Sequence, residues 1–208
     1  MKKLLLSCIC ACFVSSMYGQ GTVTLEAPSK ERGLSVTEAL WERHSPREFD
    51  TTPLSFRDLS DLLWAANGIN RPESGKRTAP SAMNAQDIDI YVFIETGVYL
   101  YDAAKHALIE VVTEDKRSVF SANEAEILPA VLCLLVSDVS RFRINNELKP
   151  EWAAFDAGIV SQNILLFASA NNMVGRPRAF MNKDALKTLL NLPEHKLIML
   201  NVPVSYKK

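Results

Sequence analysis

The segment from Glu151 to Asn171 constrains this chain more than any other. Its apolar residues Trp152, Phe155, Ile159, Val160, Ile164, Leu165 and Phe167 recur at helical spacing, yet they spread over more than one stripe. A helix covered in this way is buried on several sides, within a domain or against a second subunit. The chain has the material to surround it: 208 residues, 48% of them apolar, with three Trp, nine Phe and five Tyr, suffice for one domain with a substantial core.

The remaining pattern mixes helices and strands without regular βαβ repetition. Ala130 to Val136 is a near-continuous apolar run, which predicts a central strand covered on both faces and buries Cys133 as core filling. Ile88 to Glu95 alternates Ile88, Ile90, Val92 and Ile94 and predicts a second strand. Val98–Tyr101 and Leu108–Val112 form a hairpin through Asp102 to His106, and a weakly patterned helical segment follows around Asp115 to Ala125. Ser35-Val36-Thr37-Glu38 is a capping box for a short helix stopped by Pro46, and Ser55 starts a helix that runs to Asn67-Gly68. The Pro-, Gly- and charge-rich stretch from Ile69 to Thr78 is expected to be an exposed loop. A last helix begins at Asn182 and runs through Leu190, and Leu197 to Val202 is a closing strand. The class is α+β, with no internal repeat.

Residues 1–20 stand apart from this domain. Lys2 and Lys3 precede an apolar run from Leu4 to Val14, then Ser15, Ser16 and Gly19, the layout of a secretory signal peptide. Ile9-Cys10-Ala11-Cys12 has the look of a lipoprotein box, but it would leave only about six apolar residues before it, so cleavage is expected near Gln20 or Gly21. The expectation is an exported protein, periplasmic or extracellular, whose mature domain covers 21–208 and has no integral membrane segment. Removing the leader leaves Cys133 alone, so an internal disulfide is impossible. The net charge of −1 becomes about −3, since the leader contains no acidic residue, and gives no footprint for nucleic acid.

Several chemistries are absent from the residue inventory. No G-x-G-x-x-G, Walker loop or G-x-S-x-G elbow occurs. His44, His106 and His195 lie far apart without Cys or acidic partners at zinc spacing. The carboxylate pairs Asp87/Asp89 and Glu124/Glu126 read as solvated faces. Different in kind is Arg43-His44-Ser45-Pro46-Arg47-Glu48-Phe49-Asp50, where two guanidiniums and a hydroxyl fall within five residues at a chain bend. A phosphate monoester needs such converging donors. Arg43 and His44 are equally what the dipole favours at a helix C-terminus, so this segment alone leaves both readings open.

Joined to a second segment, Pro80-Ser81-Ala82-Met83-Asn84-Ala85-Gln86, it carries a resemblance. Arg43-His44-Ser45-Pro46-Arg47-Glu48-Phe49 is similar to the R-x-S-x-R/K-x-F motif, and Pro80 to Gln86 to the P-S-x-x-N-x-Q motif, of the nitroreductase superfamily of FMN enzymes. Leu62 to Ile69, Arg77 to Ser81, Phe155-Asp156-Ala157-Gly158 and Gln162-Asn163 resemble the branch that includes azoline (thiazole/oxazole) dehydrogenases. The resemblance spans about Val36 to Lys208.

It implies a nitroreductase-like fold, a mostly antiparallel sheet flanked by helices, in an intertwined homodimer with shared active sites. It implies that Arg43, His44, Ser45 and Arg47 bind the FMN phosphate and ribityl side, and that Pro80, Ser81, Ala82, Asn84 and Gln86 approach the same flavin from the other subunit. Backbone near Ala153 and Ala154 would lie by the flavin edge, the segment Gly175 to Ala179 with Arg178 would line the ribityl or ring, and Lys207 or Lys208 would meet the phosphate. Two family features differ: Ala153 stands where some relatives carry a Glu, and Val204-Ser205-Tyr206-Lys207 stands where G-Y-P is usual. The activity implied is ping-pong electron transfer through flavin N5, from a reduced donor, NAD(P)H among the candidates, to a small organic acceptor such as a nitroaromatic or quinone, with no protein acid or nucleophile required. A signal peptide sits awkwardly with a cytosolic nicotinamide donor. An exported flavin-binding protein without turnover and a peptide azoline dehydrogenase are the alternatives.

Overall fold

In the computed structural model, which describes residues 21–121 and 128–208, the strand over 131–138 lies inside a seven-stranded sheet. The strands are β1 (Thr22–Thr24), β4 (Ile88–Ile94), β5 (Gly97–Asp102), β6 (Ala107–Val112), β7 (Val131–Asp138), β8 (Met173–Gly175) and β9 (Lys196–Tyr206), in the order β1-β6-β5-β4-β7-β9-β8. Every neighbouring pair is antiparallel. A separate small ribbon pairs β2 (Ile69–Arg71) with β3 (Lys76–Arg77). The helices are α1 (Val36–Glu42), α2 (Phe56–Asn67), α3 (Lys149–Ala170) and α4 (Lys183–Leu189).

The apolar run of β7 is explained by cover on both faces. Val131, Cys133 and Leu135 face the cluster that includes Leu62 and Leu63 of α2 and Ile164 of α3. Leu132, Leu134 and Val136 face a second cluster with Phe93, Leu186 and Ile198. All of β7 is buried, and the Cys133 thiol, pushed up to about 12 by burial, is inert filling.

The long helix runs from Lys149 to Ala170, close to the expected span, with Pro150 in its first turn. Length and composition alone would let it cross a membrane, but Ala153, Ala157, Ile164 and Ala168 are fully buried against the domain. Its other side is exposed: Phe155 is 63% exposed, and a Cβ added at Gly158 would meet nothing within 4 Å. The capping box at Ser35/Glu38 and the Ser55 cap on α2 are both present.

Four expectations change. The loop from Ile69 to Thr78 contains the β2–β3 ribbon, turned at Gly75 with φ +62°. Thr22–Thr24, where the sequence pattern predicts no strand, forms β1, which adds to the sheet edge by pairing with β6; backbone bonds suffice there, so no alternation advertises it. The closing strand continues to Tyr206, past Pro203. Proline lacks an N–H, yet here its carbonyl accepts from the Arg176 N–H (3.3 Å) as β8 joins the edge. In the described part of the segment around Asp115 to Ala125 there is only a short 3-10 turn, Arg117–Phe120; residues 122–127, with Glu124 and Glu126, lie outside the described residues, as do 1–20.

The N-terminal lead-in is locked by charge. Arg32 pairs with Asp58 and, at 2.8 Å, with Asp61 on α2, and its Nε donates to Asn171 Oδ1 at the end of α3 (2.7 Å). Tyr206 Oη donates to Asp58 (2.6 Å), which ties the last strand to the same point.

Candidate functional site

The basic segment leaves α1 at Arg43, whose N–H closes on the Ala39 carbonyl (3.0 Å), and then turns outward. Pro46 and Phe49 are buried and anchor it, while His44, Ser45 and Arg47 are exposed and Arg43 is half-buried. Two outside groups hold the bend. The Arg176 guanidinium donates to the Pro46 carbonyl (3.1 Å) and lies 5.5 Å from the Phe49 ring centroid, a cation–π contact. The Asp50 N–H donates to Ser205 Oγ (3.0 Å).

The chain end comes to the same place. Lys207 Nζ reaches Glu42 (3.1 Å) and Lys208 Nζ reaches Glu48 (3.3 Å). Both are exposed pairs, worth little in stability, but they concentrate ammonium groups beside the guanidiniums. Arg43 and Arg47 form no ion pair among the described residues. A cavity of about 470 Å³ opens alongside, lined by Arg32, Glu42, His44, Asn172 and Lys207 among others. His44 Nδ1 lies 2.9 Å from the Glu42 carbonyl.

The second segment is bent tightly. Met83, Asn84 and Gln86 all have φ between +51° and +54°, a left-handed conformation that non-glycine residues adopt only when their surroundings enforce it. Three bonds do so. Ala82 N–H donates to both carboxylate oxygens of Asp156 on α3 (3.1 and 2.9 Å), Gln86 N–H donates to Ser81 Oγ (2.8 Å), and the Gln86 amide is held between Arg77 Nε and the Gly75 carbonyl (both 3.0 Å). Pro80 and Asn84 are left exposed, and Ser81 and Ala82 half-exposed. Ala154 is exposed on α3, two residues before Asp156, so it belongs to this end of the helix.

Among the described residues no hydrogen bond or ion pair joins the two segments within one chain. The basic segment follows α1, which packs on α3 and whose lead-in bonds to the Ala170 carbonyl (Leu34 N–H, 2.9 Å), whereas the Pro80–Gln86 segment is fixed at Asp156. At 1.5 Å per residue those anchor points are about 21 Å apart along the helix. Between them α3 exposes Gly158, Ile159 and Gln162, and Phe155 lies just before Asp156 on the same exposed side.

Of the two arginines after β8, Arg176 holds the basic segment, while Arg178 is tied to Asn201, backbone to backbone (2.8 and 2.9 Å) and Nε to Oδ1 (3.2 Å). The carboxylate pair Asp87/Asp89 is not a solvated face. Asp87 is fully buried and Asp89 is bound by Arg141 and Lys196 (2.7 Å each). Alternation within a strand would put residues two apart on one face, but Asp87 lies just before β4, outside its alternation, and turns toward Ser137 and Asp156. Asp156, also buried, was hidden among helical apolar residues; its place one turn after Ala153 and before Val160, on the buried face, is the signal that marks it.

A seven-stranded antiparallel sheet carrying a long central helix, with a basic bend and a left-handed segment at opposite ends of that helix, defines an α+β protein of the nitroreductase fold. The chain belongs to the nitroreductase family, a family of oxidoreductases: the model described as "Nitroreductase family" matches residues 40–206. A Ralstonia eutropha JMP134 crystal structure described as a nitroreductase is 30% identical with a TM-score of 0.84, covering 90% of each chain. A Methanocaldococcus jannaschii protein, also described as a nitroreductase, is 26% identical over 196 residues, 87% of this chain and 96% of its own. The fold alone is shared with a chain of the E. coli microcin synthetase McbBCD complex bound to truncated pro-MccB17, at 17% identity and TM-score 0.69 over 99% of this chain and 85% of that one.

Proposed function

We propose that this protein is an FMN-dependent oxidoreductase acting as a homodimer, with each flavin held by the basic segment of one subunit and the Pro80–Gln86 segment of the other. The observation that carries this is the pair of guanidiniums, Arg43 and Arg47, held on an anchored bend without a carboxylate partner among the described residues. That donor set fits a phosphate monoester. Lys207 and Lys208 add positive charge beside it, and Arg176 keeps the bend in place.

When bound, FMN supplies the chemistry, taking electrons from a donor and passing them in a separate half-reaction to a small organic acceptor such as a nitroaromatic or quinone. The protein's part is to bind, orient and surround it. Ser45 offers a hydroxyl to the phosphate, Asn84 and the carbonyls near Pro80 offer polar contacts to a ring, and the basic end supplies a positive field that favours an electron-rich cofactor. The exposed stripe Phe155, Gly158 and Ile159 supports pairing of α3 with its counterpart, Gly158 allowing close approach. An antiparallel crossing there sets one subunit's basic bend beside the other's left-handed segment.

Within the family we place the chain near the azoline-dehydrogenase branch, on Phe155-Asp156-Ala157-Gly158 and Gln162-Asn163. Residues 1–20 support export, which favours an electron donor other than cytosolic NAD(P)H. The purified protein is expected to be yellow, dimeric in light scattering, and bleached and reoxidised by successive addition of reductant and quinone. Colourless protein that takes up no FMN would refute the reading, and bound flavin inert to every donor would leave a binding module without turnover.

A further inference from the structure

Beneath the left-handed segment lie two carboxyl groups with no cation between them. Asp87, just before β4, is fully buried; its Oδ2 accepts from Ser137 Oγ (2.5 Å) on β7, and its carbonyl accepts from the Asp138 N–H (2.9 Å). Its Oδ1 is buried without any hydrogen-bond donor. Asp156 of α3, 3% exposed, lies beside it and turns its own oxygens to the Ala82 N–H. Asn67, from α2, lines the same small void, but its amide donates to the Ile88 carbonyl (3.0 Å). The charged neighbours Arg141 and Lys196 are spent on Asp89, on the other face of β4, and Arg77 on Gln86.

A buried carboxylate oxygen with no donor, facing a second carboxylate, is costly in one form and satisfied in another. A proton on Oδ1 turns the orphan acceptor into a donor and the repulsion into a hydrogen bond. We infer that Asp87 and Asp156 share one proton, held on Asp87 Oδ1 and donated to Asp156, and that this pair is the positioning device that holds Ala82 and so the bend from Ser81 to Gln86. Asp156 turns both oxygens to the strained segment's N–H, which leaves the donor-free Oδ1 of Asp87 as the place for the proton. Burial, with Asp156 adding to it, moves Asp87 from 3.8 to about 7. The folded protein therefore binds more protons than the unfolded chain between about pH 4 and 7. This contribution is complete below about 3.8, declines as pH rises through about 7, and is constant above that. The bend's role toward flavin rests on the function proposed above, but the shared proton does not.

The test is an infrared pH titration of the protein as purified. A protonated-carboxyl C=O band should be present at pH 6, disappear with a midpoint near 7, and be missing in Asp87→Asn, whose amide donates to Asp156 without titrating. It should also be missing in Asp156→Asn, whose amide donates to an ionised Asp87. The melting temperature of Asp87→Asn relative to the unsubstituted protein should climb from pH 4 to 7 and then level. Exchange of the Ala82 amide should stay slow in Asp87→Asn and quicken at least tenfold in Asp156→Ala. Absence of a titrating carboxyl band, or a band that survives both Asn variants, overturns the shared proton, and unchanged Ala82 exchange in Asp156→Ala overturns the positioning role. Flavin content, read separately by absorbance, reports on the function and not on the proton.

Discussion

At the scale of single residues, Arg43 and Arg47 decide whether the basic bend binds anything. A charge-assisted hydrogen bond contributes roughly 1.5 to 3 kcal/mol, so each Arg→Ala change should weaken FMN binding by about ten- to more than a hundredfold. The expected pattern is a rise in Kd by fluorescence titration with no loss of thermal stability in flavin-free protein, because neither side chain has an ion pair to lose among the described residues. Equal Kd values in both variants and the unsubstituted protein would reduce the bend to a solvated helix end. Arg176→Ala differs, because it removes the brace on Pro46 and the contact with Phe49. Its sequence neighbourhood was readable but its task was not: a guanidinium that bonds a carbonyl 130 residues away leaves no trace in local pattern.

Elements were legible where periodicity and burial agree. β7 reads directly because both its faces are covered, and α3 because its stripe is wide. The two short strands β1 and β8 are edge additions of three residues each, held by backbone bonds that any side chains permit, so nothing in Thr22–Thr24 or Met173–Gly175 distinguishes them. Asp87 illustrates the opposite failure. Two acids two residues apart look solvated, and only tertiary contacts separate the fully buried Asp87 from Asp89, which pairs with Arg141 and Lys196. The exposed stripe of α3 is an element-scale feature with its own consequence. Phe155→Asp places a charge in the middle of the proposed contact between helices while leaving the buried face of α3 untouched. Light scattering should then find monomers that retain helical circular dichroism and have lost flavin; a flavin-bound monomer would contradict a shared site.

The whole molecule is organised by the separation of the basic bend from the Pro80–Gln86 segment, the two segments proposed to hold the flavin. Their anchors on α3, through Leu34 ahead of α1 at Ala170 and through Ala82 at Asp156, are about 21 Å apart by helix rise, so the proposed site that uses both segments draws one of them from a second subunit. Mixed dimers separate borrowing from any arrangement within one chain. Take Arg43→Ala as the variant of the basic bend and Ala82→Glu, which puts a carboxylate on the half-exposed second segment, as the other, each expected to hold little FMN as a homodimer. When the two are co-expressed with different tags and the mixed dimer is isolated, a shared site places both substitutions in one pocket and leaves the other pocket intact. Such a dimer should bind one FMN per two subunits with the affinity of the unsubstituted protein. If each chain instead built its own site, every pocket in the mixed dimer would carry one defect and flavin would be lost from both. The stoichiometry, read from flavin absorbance against protein concentration, distinguishes one flavin from none, and a result of none with intact dimers rules out the exchange of segments between subunits.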